Sequence, residues 1–293
     1  MKAADVKKIT IIGAGSMGHQ IAMLCALAGI NTTLQDINKD ALQQAELKLQ
    51  ELMNRWVKKS KITENEMETA FSHLHLTTDF QQAVQQTDFV IEAVIERLDI
   101  KKEVFRKLEK HAPPEAVFAS NSSTIVNSKI AEAASRPEKI CNMHFFFPPL
   151  IMDCVEVVKS AQTSEETAQL AMGICERIGR TGVLLQKEIY GFIANRILFA
   201  LSKEAMFLYE EGYADFKDID LICEKALNHP IGPFALADLS GIDVMYDANM
   251  QLYYETGDPA DKPAPSIEKK VKAGELGRKT GKGWYNYSTE GGH

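Results

Sequence analysis

Two ionisable side chains twelve residues apart, His144 and Glu156, stand in strongly apolar stretches of the sequence. His144 ends the run 140–144 and precedes the aromatic and proline stretch 145–149, and Glu156 lies among the valines of 155–158. Because a carboxylate in such surroundings is costly to bury unpaired, a chain reversal at the prolines would place it beside the imidazole. It would hold the ring tautomer while the ring exchanges a proton with a substrate. The alternative is a core histidine bonded to a backbone carbonyl and a solvated glutamate, and these two residues alone favour that alternative.

A second candidate site lies near the amino terminus, where the segment 13–18, Gly-Ala-Gly-Ser-Met-Gly, fits the pattern G-x-G-x-x-G. It follows the β-branched run 9–12 and opens a helical pattern, the context in which glycines bring the backbone close to a pyrophosphate. Asp36 ends the next strand, where a carboxylate can bind a ribose 2′-hydroxyl and would repel a 2′-phosphate. The alternative is a glycine turn and a solvated aspartate that bind no ligand. It would not explain why a strand, the glycine motif, a helix and a strand-end aspartate follow one another. The sequence therefore predicts NAD as the cofactor, bound by Gly13, Gly15, Ser16, Met17, Gly18 and Asp36.

Strand-length apolar runs alternate with helical patterns through roughly the first two-thirds of the chain. Strands are predicted at 9–12, 32–35, 89–93, 117–120, 140–144, 155–158 and 183–186, with helices at 17–28, 99–110, 124–134 and 164–178. Strands that alternate with helices imply crossover connections and a parallel sheet. We therefore expect an α/β fold, with a Rossmann-type, doubly wound sheet as the NAD-binding domain in residues 1–187.

Two further patterns interrupt and follow this alternation. Polar helices at 39–59 and 64–71 carry little apolar surface, which predicts a protruding helical hairpin inserted at about 39–71. After residue 187 the pattern becomes helical only, at 191–211, 216–227 and 242–254, before glycine-rich turns and aromatic residues at 277–287. We expect residues 188–293 to form an all-α domain for substrate binding and dimerisation, with residues 290–293 as a loose tail.

Composition restricts the class of protein. The 293 residues carry a net charge of −7, which argues against a dedicated nucleic-acid binder. The five cysteines are never spaced C-x-x-C, and His73 and His75 have no further ligands near them in the sequence, so neither a disulfide framework nor a metal site is expected. No apolar run reaches the length of a membrane span, and the amino terminus enters a strand directly. These features predict a cytoplasmic protein with no membrane contact.

Several longer segments carry a more specific signal than the glycine motif. The His-Phe-Phe-x-Pro segment at 144–148 and Val-Glu-Val-Val at 155–158 resemble the short-chain-type L-3-hydroxyacyl-CoA and 3-hydroxybutyryl-CoA dehydrogenases. The resemblance runs through nearly the whole chain and includes segments 92–96, 120–123, 191–196, 230–234 and 279–285. It implies an NAD-dependent oxidoreductase that interconverts (S)-3-hydroxyacyl-CoA and 3-oxoacyl-CoA, with 3-hydroxybutyryl-CoA and acetoacetyl-CoA as the expected pair. It also implies a homodimer whose interface lies mostly in the C-terminal domain.

The resemblance assigns roles to residues of the matching segments. It implies that His144 is the general acid/base and Glu156 its orienting partner. Ser123 and Asn195 would complete the catalytic and substrate site by binding the substrate oxygen and steadying the pair. Beside Asp36, the NAD pocket would be lined by Ala93, Glu96, Lys101 and Asn121, and Lys59 on the hairpin would contact the CoA moiety.

Each of these residues also has a structural interpretation. The segment 120–123 could cap a helix, and Asn195 could be a satisfied polar group within one. Lys59 could be a solvated residue at a helix carboxyl terminus, and for this residue the two interpretations stay balanced. For Ser123 and Asn195 the resemblance favours the substrate site.

Two positions depart from the family pattern. Phe147 stands where many members have Asn, and Tyr190 stands where Pro often precedes the Gly-Phe-Ile segment. Loss of the Asn removes a polar contact near nicotinamide and substrate, which bears on acyl-chain preference and rate more than on reaction type. A dehydrogenase of a free hydroxy acid and a non-catalytic NAD-binding protein are the competing functions. The basic-ended hairpin argues against the first, and the His144–Glu156 pair argues against the second.

Overall fold

The structure is a computed structural model that describes residues 1–287, so the tail expected at 290–293 lies outside the described residues. The chain divides into two compact units, residues 1–192 and residues from 193 onward. This division falls in the segment that follows the last strand at Leu185 and precedes the helix beginning at Ala194. The boundary predicted at 187/188 lies in the same segment.

The first unit is built on one eight-stranded sheet with the order β3-β2-β1-β4-β5-β6-β7-β8. Its strands are β1 Lys8–Ile12, β2 Asn31–Gln35, β3 Leu74–Thr77, β4 Phe89–Glu92, β5 Val117–Ser120, β6 Ile140–Phe145, β7 Cys154–Val158 and β8 Thr181–Leu185. Neighbouring strands pair in parallel, as predicted, except that β6 and β7 are antiparallel. Only residues 146–153 connect β6 to β7, too few for the crossover that a parallel pair requires.

The chain order reverses at β1, which pairs with β2 on one side and with β4 on the other. In open α/β sheets, ligands bind outside the carboxyl ends of the strands at such a switch point. The carboxyl edge of β1, β4, β5 and β6 is therefore where the fold would place a site.

Helices cover the sheet of the first unit. They are α1 Gly18–Leu27, α2 Lys39–Lys58, α3 Glu64–Ser72, α4 Phe80–Val84, α5 Leu98–His111, α6 Asn127–Ala131 and α7 Glu165–Arg177. The five-residue α4 was not predicted, and α6 is much shorter than the helix predicted at 124–134.

The hairpin formed by α2 and α3 packs against α1 more closely than its polar composition suggested. Helix α2 buries an apolar stripe at helical spacing, and α3 adds Met67 and Ala70. These residues join the same apolar cluster as α1: Leu42, Ala45, Leu49, Met53, Met67 and Ala70. Asn38 caps the start of α2, and a capping box of Thr63 and Glu66 starts α3. One narrow stripe therefore anchors two helices that are polar elsewhere.

Within the described residues the second unit is helical, as predicted. It contains α8 Ala194–Glu210, α9 Phe216–Lys225, α10 Pro233–Ser240, α11 Ile242–Thr256 and α12 Pro265–Lys272. The short helices α10 and α12 were not predicted. Tyr209, Phe216, Phe234 and Trp284 pack ring against ring at its centre, with the Phe234 and Trp284 centroids 4.6 Å apart.

Two buried aspartates hold the second unit's loops. Asp220 on α9 accepts hydrogen bonds from the backbone of Phe234 and Ala235 and from the Tyr285 hydroxyl, at 2.8, 2.9 and 2.8 Å. Asp238 on α10 accepts bonds from the backbone of Trp284 and Tyr285, both at 2.8 Å. The segments 230–234 and 279–285, which carry part of the family resemblance, are thus tied to the core by two carboxylates.

No helix within residues 1–287 is long and apolar enough to cross a bilayer.

Candidate active site

His144 and Glu156 lie directly opposite each other in the antiparallel β6–β7 pair. The His144 Nδ1 is 2.8 Å from Oε2 of Glu156, and the two side chains are 5% and 4% exposed. Opposed residues of an antiparallel pair project from the same face of the sheet, so two rigid strands hold this contact. A carboxylate at Nδ1 favours the tautomer with its proton on Nδ1, which directs Nε2 at a reacting group. The sequence-predicted pair is therefore brought together.

Aromatic rings flank the His144 imidazole. The ring centroids of Phe146 and Phe192 lie 4.6 and 5.5 Å from it. Phe192 is completely buried and has a φ of +50°, a conformation that a bulky residue adopts only when its surroundings impose it. These rings keep water from the sides of the imidazole and restrict its orientation. Sequence reasoning did not identify Phe192, because a left-handed backbone at a non-glycine residue leaves no sequence signal.

Ser123 lies just beyond the carboxyl end of β5, the strand next to the one that carries His144. It belongs to a short segment, residues 122–124, that we call the serine loop. One carboxylate oxygen, Oε1 of Glu96, accepts hydrogen bonds from Ser122 Oγ, from the backbone of Ser123 and from the backbone and hydroxyl of Thr124, at 2.5, 2.9, 3.0 and 3.0 Å. The serine loop is therefore gathered around Glu96.

An ion cluster of Glu92, Lys101 and Glu96 lies beneath this loop. The Lys101 Nζ is 2.8 Å from Oε1 of Glu92 and 3.2 Å from Oε2 of Glu96. Lys101 is 1% exposed, and Glu92 at the end of β4 is completely buried. Glu92 also accepts hydrogen bonds from Ser120 Oγ at 2.6 Å and from the backbone of Val94 at 2.7 Å. Glu92 was not predicted as a site residue. The sequence signal that could have identified it is a glutamate at the end of an apolar strand with a lysine nine residues later.

Asn121 also forms hydrogen bonds at the carboxyl edge of the sheet. Its backbone donates to the Glu92 carbonyl at 2.7 Å, and its Oδ1 accepts a hydrogen bond from the Phe145 backbone at 2.9 Å. The residue thus links the carboxyl ends of β4, β5 and β6.

The glycine turn fits the requirements of a dinucleotide. Gly13 has a φ of +103°, and a Cβ there would lie 2.7 Å from the carbonyl oxygen of Ala93. A Cβ at Gly18 would collide with the carbonyl oxygen of Gly13. At Gly15, a Cβ would meet no heavy atom within 4 Å, chain neighbours aside, in the described part of the chain. Packing therefore accounts for Gly13 and Gly18, whereas the open space at Gly15 suits close approach of a ligand to the backbone.

Asp36 lies at the carboxyl end of β2 and is bonded to the glycine turn. Its Oδ2 accepts a hydrogen bond from the Ala14 backbone at 2.8 Å, and its Oδ1 accepts one from the Asn38 backbone at 2.9 Å. A cavity of about 310 Å³ opens beside it, lined in part by Gly13, Ile37 and Val94. Ile37 is 88% exposed, an apolar surface suited to a flat ring. The residues present therefore fit the adenosine half of NAD.

The remaining sequence-predicted residues lie in three places. Lys59 is the exposed residue at the carboxyl end of α2, and its backbone donates to the Arg55 carbonyl. Ser16 and Met17 continue the glycine turn before α1. Asn195 belongs to the second unit, near the start of α8. No cluster of three or more possible metal ligands occurs among residues 1–287.

Comparisons with known proteins agree along the whole length of this architecture. Residues 8–189 match the NAD binding domain of 3-hydroxyacyl-CoA dehydrogenase, and residues 191–287 match its C-terminal domain. A probable 3-hydroxybutyryl-CoA dehydrogenase of Bacillus subtilis is 36% identical over 97% of this chain and 98% of its own length. The human mitochondrial hydroxyacyl-coenzyme A dehydrogenase is 35% identical over 98% of this chain and 93% of its own.

A solved structure gives the same result. The crystal structure of (S)-3-hydroxybutyryl-CoA dehydrogenase from Ralstonia eutropha matches with a TM-score of 0.92 and 36% identity, covering 97% of this chain and all of that one. Both family domains follow one another here with no large part of the chain left over. This chain therefore belongs to the 3-hydroxyacyl-CoA dehydrogenase family.

Proposed function

We propose that this protein is an NAD-dependent dehydrogenase that interconverts (S)-3-hydroxyacyl-CoA and 3-oxoacyl-CoA thioesters, with the 3-hydroxybutyryl-CoA/acetoacetyl-CoA pair preferred. The observation that carries the proposal is the buried His144–Glu156 pair, held in register at the carboxyl edge of a dinucleotide-binding sheet. A general acid/base is what removal of a hydroxyl proton requires. The short-chain preference follows the names of the similar bacterial proteins.

In the oxidation, His144 Nε2 accepts the proton of the 3-hydroxyl group, and Glu156 stabilises the resulting imidazolium through Nδ1. Bound NAD⁺ supplies the acceptor for the hydride that leaves C3 of the substrate. In the reverse direction, the imidazolium returns its proton to the carbonyl oxygen. Phe146 and Phe192 exclude water from this exchange.

Other residues of the first unit would bind and orient the reactants. Gly15 and the amino end of α1 would hold the pyrophosphate and Asp36 the adenosine ribose. The rest of the NAD pocket would be lined by Ala93, Glu96, Lys101 and Asn121. Ser123 would donate a hydrogen bond to the substrate oxygen. This assignment is supported by its place beyond β5, next to the strand of His144.

A thioester is favoured over a free hydroxy acid by the charge at the end of the hairpin. Arg55 and Lys58 lie in the last turn of α2, and Lys59 and Lys61 follow. These exposed cations would attract the phosphates of a CoA moiety, which a free hydroxy acid lacks.

By its match to the family segment 191–196, Asn195 would take part in substrate binding, and the second unit would form most of a homodimer interface. Several of its large apolar side chains are exposed, among them Ile197, Ile222 and Tyr254. Apolar side chains displayed in this number are typical of surfaces that another protein covers.

The first test follows the loss of NADH absorbance with acetoacetyl-CoA, run beside free acetoacetate and beside NADPH. We expect rapid oxidation of NADH with the thioester only, and little reaction with NADPH. Turnover of free acetoacetate at a similar rate would favour a hydroxy-acid dehydrogenase. Tight NADH binding with no turnover of either substrate would contradict the enzymatic function.

A further inference from the structure

A continuous chain of charged contacts runs from the interior of the sheet to Ser123. Glu92 at the end of β4 pairs with Lys101 on α5, Lys101 contacts Glu96, and Glu96 gathers the serine loop through four hydrogen bonds to one oxygen. Each step is a direct contact between charged groups or between a charged group and its hydrogen-bond donors. Such bonds are shorter and stronger than those between neutral groups.

Packing alone does not require charged side chains at the buried positions of Glu92 and Lys101. Removing Glu92 and Lys101 from water carries a desolvation penalty, and apolar residues of similar volume are often as stabilising as a buried ion pair. The two charges instead fix the positions of the side chains that contact them. Glu92 is fixed by Ser120 and by the Val94 backbone as well as by Lys101, so its carboxylate is held on three sides.

Two branches leave Glu92 toward the site. One passes through Val94 and the end of β4, whose Ala93 carbonyl lies against Gly13 of the glycine turn. The other passes through Lys101 and Glu96 to the serine loop. Glu92 therefore connects the loop proposed to touch the substrate oxygen with the turn proposed to bind NAD.

We propose that the Glu92–Lys101 ion pair is a positioning device for the reaction. It fixes the Glu96 carboxylate and, through it, sets where Ser123 lies relative to the strand that carries His144. The inference rests on the role proposed above for Ser123. Glu92 and Lys101 act through Glu96, and neither needs to touch the reacting atoms.

The environment of Glu96 agrees with this arrangement. Desolvation raises the pKa of Glu96, but the charge of Lys101 and the hydrogen bonds from Ser122 and Thr124 outweigh it and hold the pKa below its ordinary value. The charged groups near it are Lys101 and, across Lys101, Glu92, while Arg97 is engaged with Asp99 in an exposed pair. Glu96 is therefore a carboxylate under working conditions, as four donors on one oxygen require.

The test compares Lys101→Met, Glu92→Gln and the double variant, using the full chain with NADH and acetoacetyl-CoA. Lys102→Met is the matched control: Lys102 is the next residue on α5, and its Nζ makes a 2.6 Å pair with the exposed Glu132. Four quantities are measured for each protein: the Tm, kcat with the KM for acetoacetyl-CoA, the Kd of NADH from its fluorescence, and the pH profile of kcat/KM.

Lys101→Met leaves the buried Glu92 carboxylate without its cation, and Glu92→Gln leaves Lys101 with only its 3.2 Å contact to Glu96, so both Tm and kcat should fall. In the double variant the charges balance again and Tm should recover toward that of the unmodified protein. Its kcat should stay about 10- to 100-fold low, because Glu96 is no longer held and small displacements in a site have effects of this size. The kcat values are taken at saturating NADH, because the resemblance places Glu96 and Lys101 at the NAD pocket and the Kd of NADH should weaken when Lys101 is replaced. The acidic limb of the pH profile should move to higher pH because Glu96 has lost its cation. Lys102→Met should match the unmodified protein in all four quantities.

Three results would overturn the inference. Recovery of kcat together with Tm in the double variant would make the cluster a stabilising element only. A weaker Kd for NADH with an unchanged kcat at saturating NADH would mean that the cluster serves cofactor binding and does not position Ser123. Ser123→Ala, measured in parallel, separates this inference from the proposed function. Unchanged turnover in Ser123→Ala would refute the role of Ser123 and the positioning with it, whereas loss there with full activity in the double variant would refute the positioning alone.

Discussion

Glu156 lies directly across the β6–β7 pair from His144 and meets its Nδ1 at 2.8 Å. The contact depends on two hydrogen-bonded strands, so it is held more rigidly than a contact between loops. It also depends on the reversal of β7, because a parallel strand would have required a long crossover after β6. One antiparallel pair in an otherwise parallel sheet thus brings the proposed acid/base and its partner together.

His144→Gln should lower kcat by about 10²- to 10⁴-fold, because the variant has no group to take the hydroxyl proton. The Kd of NADH should stay unchanged, since the change lies outside the glycine turn. His75→Gln, at an exposed position on β3 of the same sheet, serves as the control and should keep full turnover. Near-normal steady-state turnover in His144→Gln would refute the assignment.

Glu156→Gln should also lower kcat, by about 10²- to 10⁴-fold, while leaving the strand pair intact. The amide can present a donor to Nδ1 and so stabilise the wrong ring tautomer, and it cannot neutralise the imidazolium. Steady-state rates with a near-native circular dichroism spectrum would check this. A rate equal to that of the unmodified protein would show that Glu156 does not orient the ring.

Asp36→Asn should reduce the preference for NADH over NADPH. The amide oxygen can still accept the bond from the Ala14 backbone, but the negative charge that would repel a 2′-phosphate is gone. The ratio of kcat/KM for NADH and NADPH measures the effect, with Asp40→Asn in the exposed first turn of α2 as the control. Equal efficiency of the two cofactors in the unmodified protein would overturn the role given to Asp36.

Lys59→Ala should raise the KM for acetoacetyl-CoA by about fivefold, equivalent to about 1 kcal/mol, with little change in kcat. The difference should shrink as ionic strength rises, because exposed charges are screened. Lys39→Ala, at the opposite end of the same helix, removes the same charge and should leave KM unchanged. An equal effect of both variants would indicate a general field instead of a contact at Lys59.

Asp220→Asn should lower the free energy of unfolding by about 1–3 kcal/mol, because in either amide orientation the nitrogen would face a backbone N–H, that of Phe234 at the Oδ1 position or that of Ala235 at the Oδ2 position. Asp218→Asn, an exposed position two residues earlier on α9, is the control and should cost a few tenths of that at most. Urea unfolding followed by circular dichroism measures both. Equal midpoints for the two variants would show that Asp220 does not anchor the loops.

Acid should weaken the first unit through Glu96. Its folded-state pKa is lowered, so the folded state binds fewer protons than the unfolded state between the two pKa values, and stability rises with pH across that window. The contribution is complete above the unfolded pKa and is lost as pH falls through the folded one. Urea midpoints measured from about pH 3 to 7 should therefore fall less steeply on the acid side in Glu96→Gln. A parallel decline in both proteins would contradict this.

Those features of this protein that depend on the spacing of neighbouring residues could be predicted before the fold was known. The β-branched run before the glycine turn, Asp36 at the end of the next strand and the alternation of strands with helices each follow from neighbouring residues. Local reasoning offered the His144–Glu156 pair as one of two interpretations and favoured the other, and the family resemblance of segments 144–148 and 155–158 decided for the pair.

Contacts between side chains that are far apart in the sequence became evident only in the folded chain. The neighbouring residues in the sequence do not show that Ser120 as well as Lys101 binds Glu92, or that Glu96 accepts four hydrogen bonds from the serine loop. They also do not show that α2 buries a narrow apolar stripe against α1. Asp220 and Tyr285 meet although 65 residues separate them in the chain. These contacts form because the sheet and the helix packing bring remote segments together. Folding buries each charge, which is costly, and the same folding brings up the partner that offsets this cost.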